Sequence, residues 1–128
     1  MKPVKQKLGP NQEKWLKALE SGKYKQGQGY LCQIDNGKPE YCCLGVAAKV
    51  FLGDGKQPKT KKYISWKNNF QYAPVKVQRL LQLYDEFGAS APTYDDWSLV
   101  DLNDENYTIK QIAKMIRKNP NSFFKKPA

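Results

Sequence analysis

The residues best suited to chemistry in this chain are three cysteines, a run of carboxylates, and a run of lysines interleaved with aromatic rings. Cys42 and Cys43 are adjacent and open an apolar stretch of helical length, where free N–H groups and the helix dipole would lower a thiol pKa. A cysteine nucleophile is normally served by a histidine base that accepts and returns the proton, and the sequence has no histidine. Two small interior thiols is the expected role, and cysteine hydrolysis is rejected. Cys32, Cys42 and Cys43 supply at most three of the four ligands of a structural zinc site, and two of them are sequence neighbours. No metal and no cofactor is expected.

The carboxylates Asp95, Asp96, Asp101, Asp104 and Glu105 raise a different possibility. Clustered acids can hold Mg²⁺ for phosphoryl chemistry, so a metal-dependent nuclease using segment 95–105 is an alternative. The spacing is not that of a calcium loop: counted from Asp95, the sixth position lacks glycine and the twelfth lacks an acid. Acids just before a helix also favour its N-terminal dipole without any metal. Gly27-Gln28-Gly29 lacks the third glycine and the Lys-Ser/Thr of a phosphate loop.

The third group is a surface. Lys56, Lys59, Lys61, Lys62, Tyr63, Trp66, Lys67 and Phe70 alternate cations with rings, a composition that can hold a single-stranded backbone while stacking its bases. The competing reading makes Tyr63, Trp66 and Phe70 core residues under a lysine-coated loop, and it has the ordinary burial of large aromatics on its side. Lys110, Lys114, Arg117 and Lys118 form a second basic face on the last helix. The formal charge is +10, and Asp85 to Glu105 contains seven acids and no base, which leaves five acids against 22 bases elsewhere. Such a field attracts nucleic acid, anionic protein or anionic surface. Lysine, which makes up nearly all of these bases, is a poorer bidentate reader of base edges than arginine, so sequence-specific readout is not expected.

Positioning these groups calls for an α+β single domain, three or four helices packed on a small antiparallel β-hairpin. A first helix is expected over Gln12–Glu20, capped by Asn11 and stopped at Ser21-Gly22. Tyr30–Ile34 and Glu40-Tyr41 read as strands joined by the turn Asp35-Asn36-Gly37-Lys38, with Pro39 placing the return strand short or at an edge. Cys42–Leu52 is the most buried helix, with Gly45 tolerated by close packing. Tyr63–Trp66 reads as a short strand. A third helix from Pro74 buries Val77, Leu80, Leu81, Tyr84 and Phe87 and ends at Gly88. Residues 89–97 read as a loop. Thr108 and Gln111 form a capping box for a last helix with Ile109, Ile112, Ala113 and Ile116 inward and Asn119-Pro120 as its end. Residues 1–10 read as a flexible basic segment, 11–120 as the globular domain and 121–128 as a tail. No apolar run reaches the ~20 residues a membrane span requires, and no secretory signal is apparent.

The pattern Trp15-x-x-Ala18-Leu19-x-Ser21-Gly22-x-Tyr24-x-Gln26-x-x-Gly29-x-Leu31, then Tyr41-Cys42-Cys43-Leu44-Gly45-Val46, then Leu99-x-x-Leu102-Asn103-Asp104 resembles a group of small proteins of tailed bacteriophages and prophages. The resemblance runs from Asn11 to Pro120 and is weakest over 53–69. It implies a phage gene acting in the cytoplasm of a bacterial host cell and carries over no catalytic residues. Trp15, Gly22, Tyr24, Tyr41, Cys42, Cys43, Gly45, Asn103 and Asp104 are its motif positions, expected to be structural. The leading expectation is an accessory protein that binds a host or defence macromolecule, an anionic host protein or nucleic acid, through the basic surface and without a membrane. A second alternative, besides the nuclease, is sequestration of a signalling nucleotide in a cationic cleft.

Overall fold

The computed structural model describes residues 5–90 and 98–125. Along the chain these form α1 (Pro10–Glu20), β1 (Cys32–Asp35), β2 (Lys38–Tyr41), α2 (Cys43–Leu52), β3 (Tyr63–Ile64), α3 (Val75–Leu81), α4 (Leu99–Asp104), α5 (Ile109–Lys118) and α6 (Pro120–Phe123). The fold is α+β, as the sequence predicts, with a three-stranded antiparallel sheet in the order β2-β1-β3.

The hairpin sets the register. Asn36 and Gly37 take φ of 51° and 77°, the pair of positive angles a primed two-residue turn demands, and Cys32 then lies opposite Tyr41 and Gln33 opposite Glu40. Pro39 falls on β2, an edge strand, where its missing donor interrupts no inner ladder. β3 extends the hairpin by one strand, pairing Ile64 with Cys32 and Tyr63 with Gln33.

α2 is the centre of the core, with Cys43, Leu44, Gly45, Val46, Ala47 and Ala48 all buried. Its position beside β1 depends on Gly45: a Cβ there would lie 1.7 Å from the Leu31 carbonyl oxygen. That same oxygen accepts the Cys42 N–H at 3.0 Å, which ties the strand to the helix start. α1 packs against α2, α3 and α5. It lays Trp15, Leu16 and Leu19 inward at helical spacing.

Several boundaries differ from expectation. α1 begins one residue before Asn11, with Pro10 in its first turn and Gly9 as the extended cap, because proline's fixed φ suits the first helical position. Gln12 accepts the Gly9 N–H at 2.8 Å and donates to the Leu81 carbonyl at 2.9 Å, so one side chain closes one helix and holds the end of another. α3 stops at Leu81 rather than near Gly88, since Gln82 turns left-handed at φ 60°. Leu80 and Tyr84 are half-buried, and Phe87 is exposed. The Tyr84 hydroxyl instead donates to the Asn121 and Phe124 carbonyls at 3.3 and 3.2 Å. α4 lies where no helix is expected; its six residues are too few for a periodic signal, and the cap Ser98 exchanges hydrogen bonds with Asp101. The core also continues past 120: Phe124 is fully buried and meets Trp15 edge-on at 6.2 Å, which corrects the expected tail for residues 121–125. Among the described residues no helix is long and apolar enough to cross a membrane.

Candidate functional site

Several of the motif residues meet at a buried joint. Asn103, on α4, has no exposed surface. Its Oδ1 accepts the Cys43 N–H at 3.2 Å and the Gln26 amide at 3.0 Å, while its Nδ2 donates to the Gly27 carbonyl at 2.8 Å. Gln26 also donates to the Tyr107 carbonyl and accepts the Ile109 N–H. Gly29 N–H reaches Asp104 Oδ1 at 3.3 Å. The Asn103 and Gln26 amides, with Asp104, thus fasten the loop at 26–29, the start of α2 and the α4–α5 connection to one another. Trp15 donates from Nε1 to the Cys43 carbonyl at 2.9 Å, Tyr24 meets Tyr41 edge-on at 5.2 Å, and Gly22 takes φ 78° just beyond the α1 cap Ser21.

The thiols belong to this joint. Cys42 is the α2 cap, its sulfur accepting the Gly45 N–H at 3.3 Å, and Cys43 Sγ donates to the Leu99 carbonyl at 3.6 Å. Burial pushes the Cys42 thiol up to about 12 and Cys43 well above its ordinary value, outweighing the N–H groups that pull Cys42 down. Cys32 is pushed up to about 11, again chiefly by burial. Neutral thiols at physiological pH are poor nucleophiles, so the helix start does not activate them.

The carboxylates divide. Asp95 and Asp96 lie outside the described residues. Asp101 caps α4, Asp104 holds Gly29, and Asp85 Oδ1 accepts the Phe87 and Ala89 N–H groups at 2.9 and 3.0 Å. Asp85, Asp101 and Asp104 border a cleft of about 460 Å³ walled by Tyr72 and Phe87. Among the described residues, no group of three His, Cys, Asp or Glu could hold a metal ion.

The basic surface is organised otherwise. Ion pairs join Lys25 to Glu40, Lys49 to Asp54, and Arg117 to both Glu13 and Glu20. Arg117 is therefore committed to α1, at 2.6–3.1 Å, and does not belong to a free basic face on α5. Its hydrogen bonds hold the Glu13 carboxyl below the usual range, and hydrogen bonds from Gln33 and then Lys25 do the same for Glu40. Lys56, Lys59, Lys61, Lys62 and Lys67 are exposed and take part in no ion pair among the described residues. Lys56 and Lys67 line one cleft of about 350 Å³ with Ser65, Trp66, Asn68 and Asp54, the last paired to Lys49. Lys67 and Asn68 form the tip of a tight hairpin at φ 52° and 66°, closed by reciprocal Trp66–Asn69 backbone bonds of 2.8 Å. Positive φ at lysine is uncommon, and here it lifts a cation to the tip of a turn.

The aromatic part needs correction. Trp66 is only 3% exposed and donates from Nε1 to the Gly53 carbonyl at 2.8 Å, so it is a core residue and not a stacking surface. Tyr63 and Phe70 do reach the surface, and Tyr30, absent from the sequence reading of this surface, joins them. The Tyr30–Tyr63 centroids are 5.3 Å apart with planes 9° off parallel, Tyr63–Phe70 are 4.8 Å apart at 26°, and Tyr30–Phe70 are 6.2 Å apart at 35°. Leu31 N–H to the Phe70 carbonyl, 2.8 Å, brings the two ends together. That pairing links residues far apart in sequence and leaves no local signal.

The family model described as "Domain of unknown function (DUF8296)" matches residues 5–120. No curated protein and no solved structure matches the chain.

Proposed function

The chain belongs to the DUF8296 family, and we propose that it acts by binding an anionic macromolecule through the surface bearing Lys56, Lys59, Lys61, Lys62 and Lys67. The setting of this reading is the cytoplasm of a bacterial cell carrying a phage or prophage, which rests on the motif resemblance alone. The observation that carries it is that these five lysines are exposed and, among the described residues, outside every ion pair, while Arg117, Lys25 and Lys49 each have a carboxylate. Like charges gathered in one stretch raise the local potential, and a polyanion relieves it while releasing condensed counterions. Catalysis has less support: the thiols are buried and held neutral, and Asp85, Asp101 and Asp104 are spent on backbone N–H groups.

Heparin chromatography tests whether location or net charge governs binding. A variant with Lys56, Lys59, Lys61, Lys62 and Lys67 changed to glutamine should elute at much lower salt than wild type. A control changing Lys14, Lys17, Lys110, Lys114 and Lys118 to glutamine removes the same charge elsewhere and should shift far less. Equal shifts would reject the proposed surface.

A further inference from the structure

We infer that the anionic partner is single-stranded nucleic acid, with bases stacking on the Tyr30–Tyr63–Phe70 rings and the backbone running over Lys61, Lys62 and Lys67. The inference rests on the reading just proposed and adds what that reading leaves open, the chemistry of the partner.

Tyr30–Tyr63 and Tyr63–Phe70 stack on one another and Tyr30–Phe70 are tilted by 35°, with centroids 4.8–6.2 Å apart, so a base stacks on the faces this cluster leaves open, that of Phe70 above all. Packing leaves Phe70 36% exposed and Tyr30 and Tyr63 half-buried. The backbone holds each ring in place, through the Gln33–Tyr63 register and the Leu31–Phe70 hydrogen bond. A base therefore meets a surface that is already ordered, and the entropy cost of arranging it is largely paid in folding.

The cations flank the rings along the chain. Lys61 and Lys62 lead directly into Tyr63, and at roughly 3.3 Å per extended residue their Cα atoms lie within about 7 Å of it. Lys67 follows at the hairpin tip. Phosphates can then contact lysine while the attached bases reach the rings.

Two features favour one strand over a duplex. A duplex hides the base faces, so the rings would have nothing to stack on without unpairing. Tyr30 also borders a cleft of about 190 Å³ lined by Asp104, which lines the neighbouring cleft with Asp101 and Asp85, so a second row of phosphates would meet carboxylates. The near-absence of free arginine predicts tolerance of sequence, since stacking does not discriminate strongly among bases.

The test uses fluorescence anisotropy of the full chain at low salt with four probes: labelled oligothymidylate, oligouridylate, a duplex of equal length, and labelled heparin. The expected result is tighter binding of at least one single strand than of the duplex. Phe70→Leu and Tyr63→Leu should each weaken that single-strand binding about 5- to 100-fold, the equivalent of roughly 1–3 kcal/mol of stacking, while leaving heparin binding unchanged. Circular dichroism checks that the variants fold, and Tyr30→Leu serves as a third variant should Tyr63→Leu disturb β3. The relative strength of the thymidylate and uridylate arms identifies DNA or RNA as the source. Equal affinity for duplex and single strand, or leucine variants that bind like wild type, would overturn this inference and leave the anionic surface standing. Failure of heparin to bind would overturn both.

Discussion

The Asn103 joint and the 56–67 surface are both polar, and they treat their polar groups in opposite ways. In the joint, the buried Asn103 and Cys43 N–H and the half-buried Gln26 are matched donor to acceptor at 2.8–3.2 Å. On the surface, five lysine side chains stand in solvent with no carboxylate partner among the described residues, and a lysine occupies a left-handed turn. Satisfied buried amides fix a chain to itself, because leaving any one of them unmatched costs more than the bond returns. Unsatisfied exposed charge does nothing for the fold and acts on what approaches from outside. Motif residues can therefore be the least functional in the binding sense, and the less recognisable middle of the chain the most.

The comparison can be broken by substitution, and the largest effect belongs to the joint. Gly45→Ala gains about 1 kcal/mol of helix propensity but drives a methyl into the Leu31 carbonyl. Overpacking against backbone should win, with a net loss of about 3 kcal/mol or more in urea unfolding. Asn103→Leu should cost about 2–3 kcal/mol by stranding the Gly27 carbonyl and the Cys43 N–H in a dry site, read by the same titration. If Asn103→Leu melted like wild type, the joint would not be what holds α4 to α2.

Arg117→Gln should have a smaller effect, about 1 kcal/mol at low salt and less at high salt, since both its glutamates are partly exposed. Its pH signature has a definite sign. The Glu13 carboxyl is held below its unfolded value by Arg117, so its contribution is complete above that unfolded value and is lost as pH falls through the lowered folded one. Acid titration of stability should be shallower in Arg117→Gln than in wild type. A parallel acid limb would remove Glu13–Arg117 from the account. The smallest stability effect is expected for Lys61→Gln, Lys62→Gln and Lys67→Gln combined, within about 0.5 kcal/mol of wild type, because the three support Gln57, Ile34 and Asn69 only through backbone carbonyls, which the substitutions keep.

Local chemistry made much of this legible. The Asn36-Gly37 turn, the Thr108–Gln111 box, the apolar run of α2 and the stripe of α5 are written in consecutive residues, and each forms as its sequence predicts. α4 is too short to be periodic, and the end of α3 depends on Gln82 adopting an angle its side chain does not announce. The surface was half legible. Alternating lysines and rings identify the stretch, but whether a ring faces core or solvent is decided by distant partners. Gly53 takes Trp66 inward, and the Leu31–Phe70 contact brings Tyr30 alongside Tyr63. Arg117 could not be separated from Lys110 and Lys114 by sequence, because Glu13 and Glu20 reach it from another helix.

The most direct test of the account is the slope of log affinity against log salt for oligothymidylate, measured for wild type and for the Lys61, Lys62, Lys67 glutamine variant. If those lysines contact the backbone, the slope should lose about 2 units in magnitude, from roughly 0.7 per phosphate neutralised on a single strand. Identical slopes in the two proteins, or a wild-type affinity indifferent to salt, would contradict it.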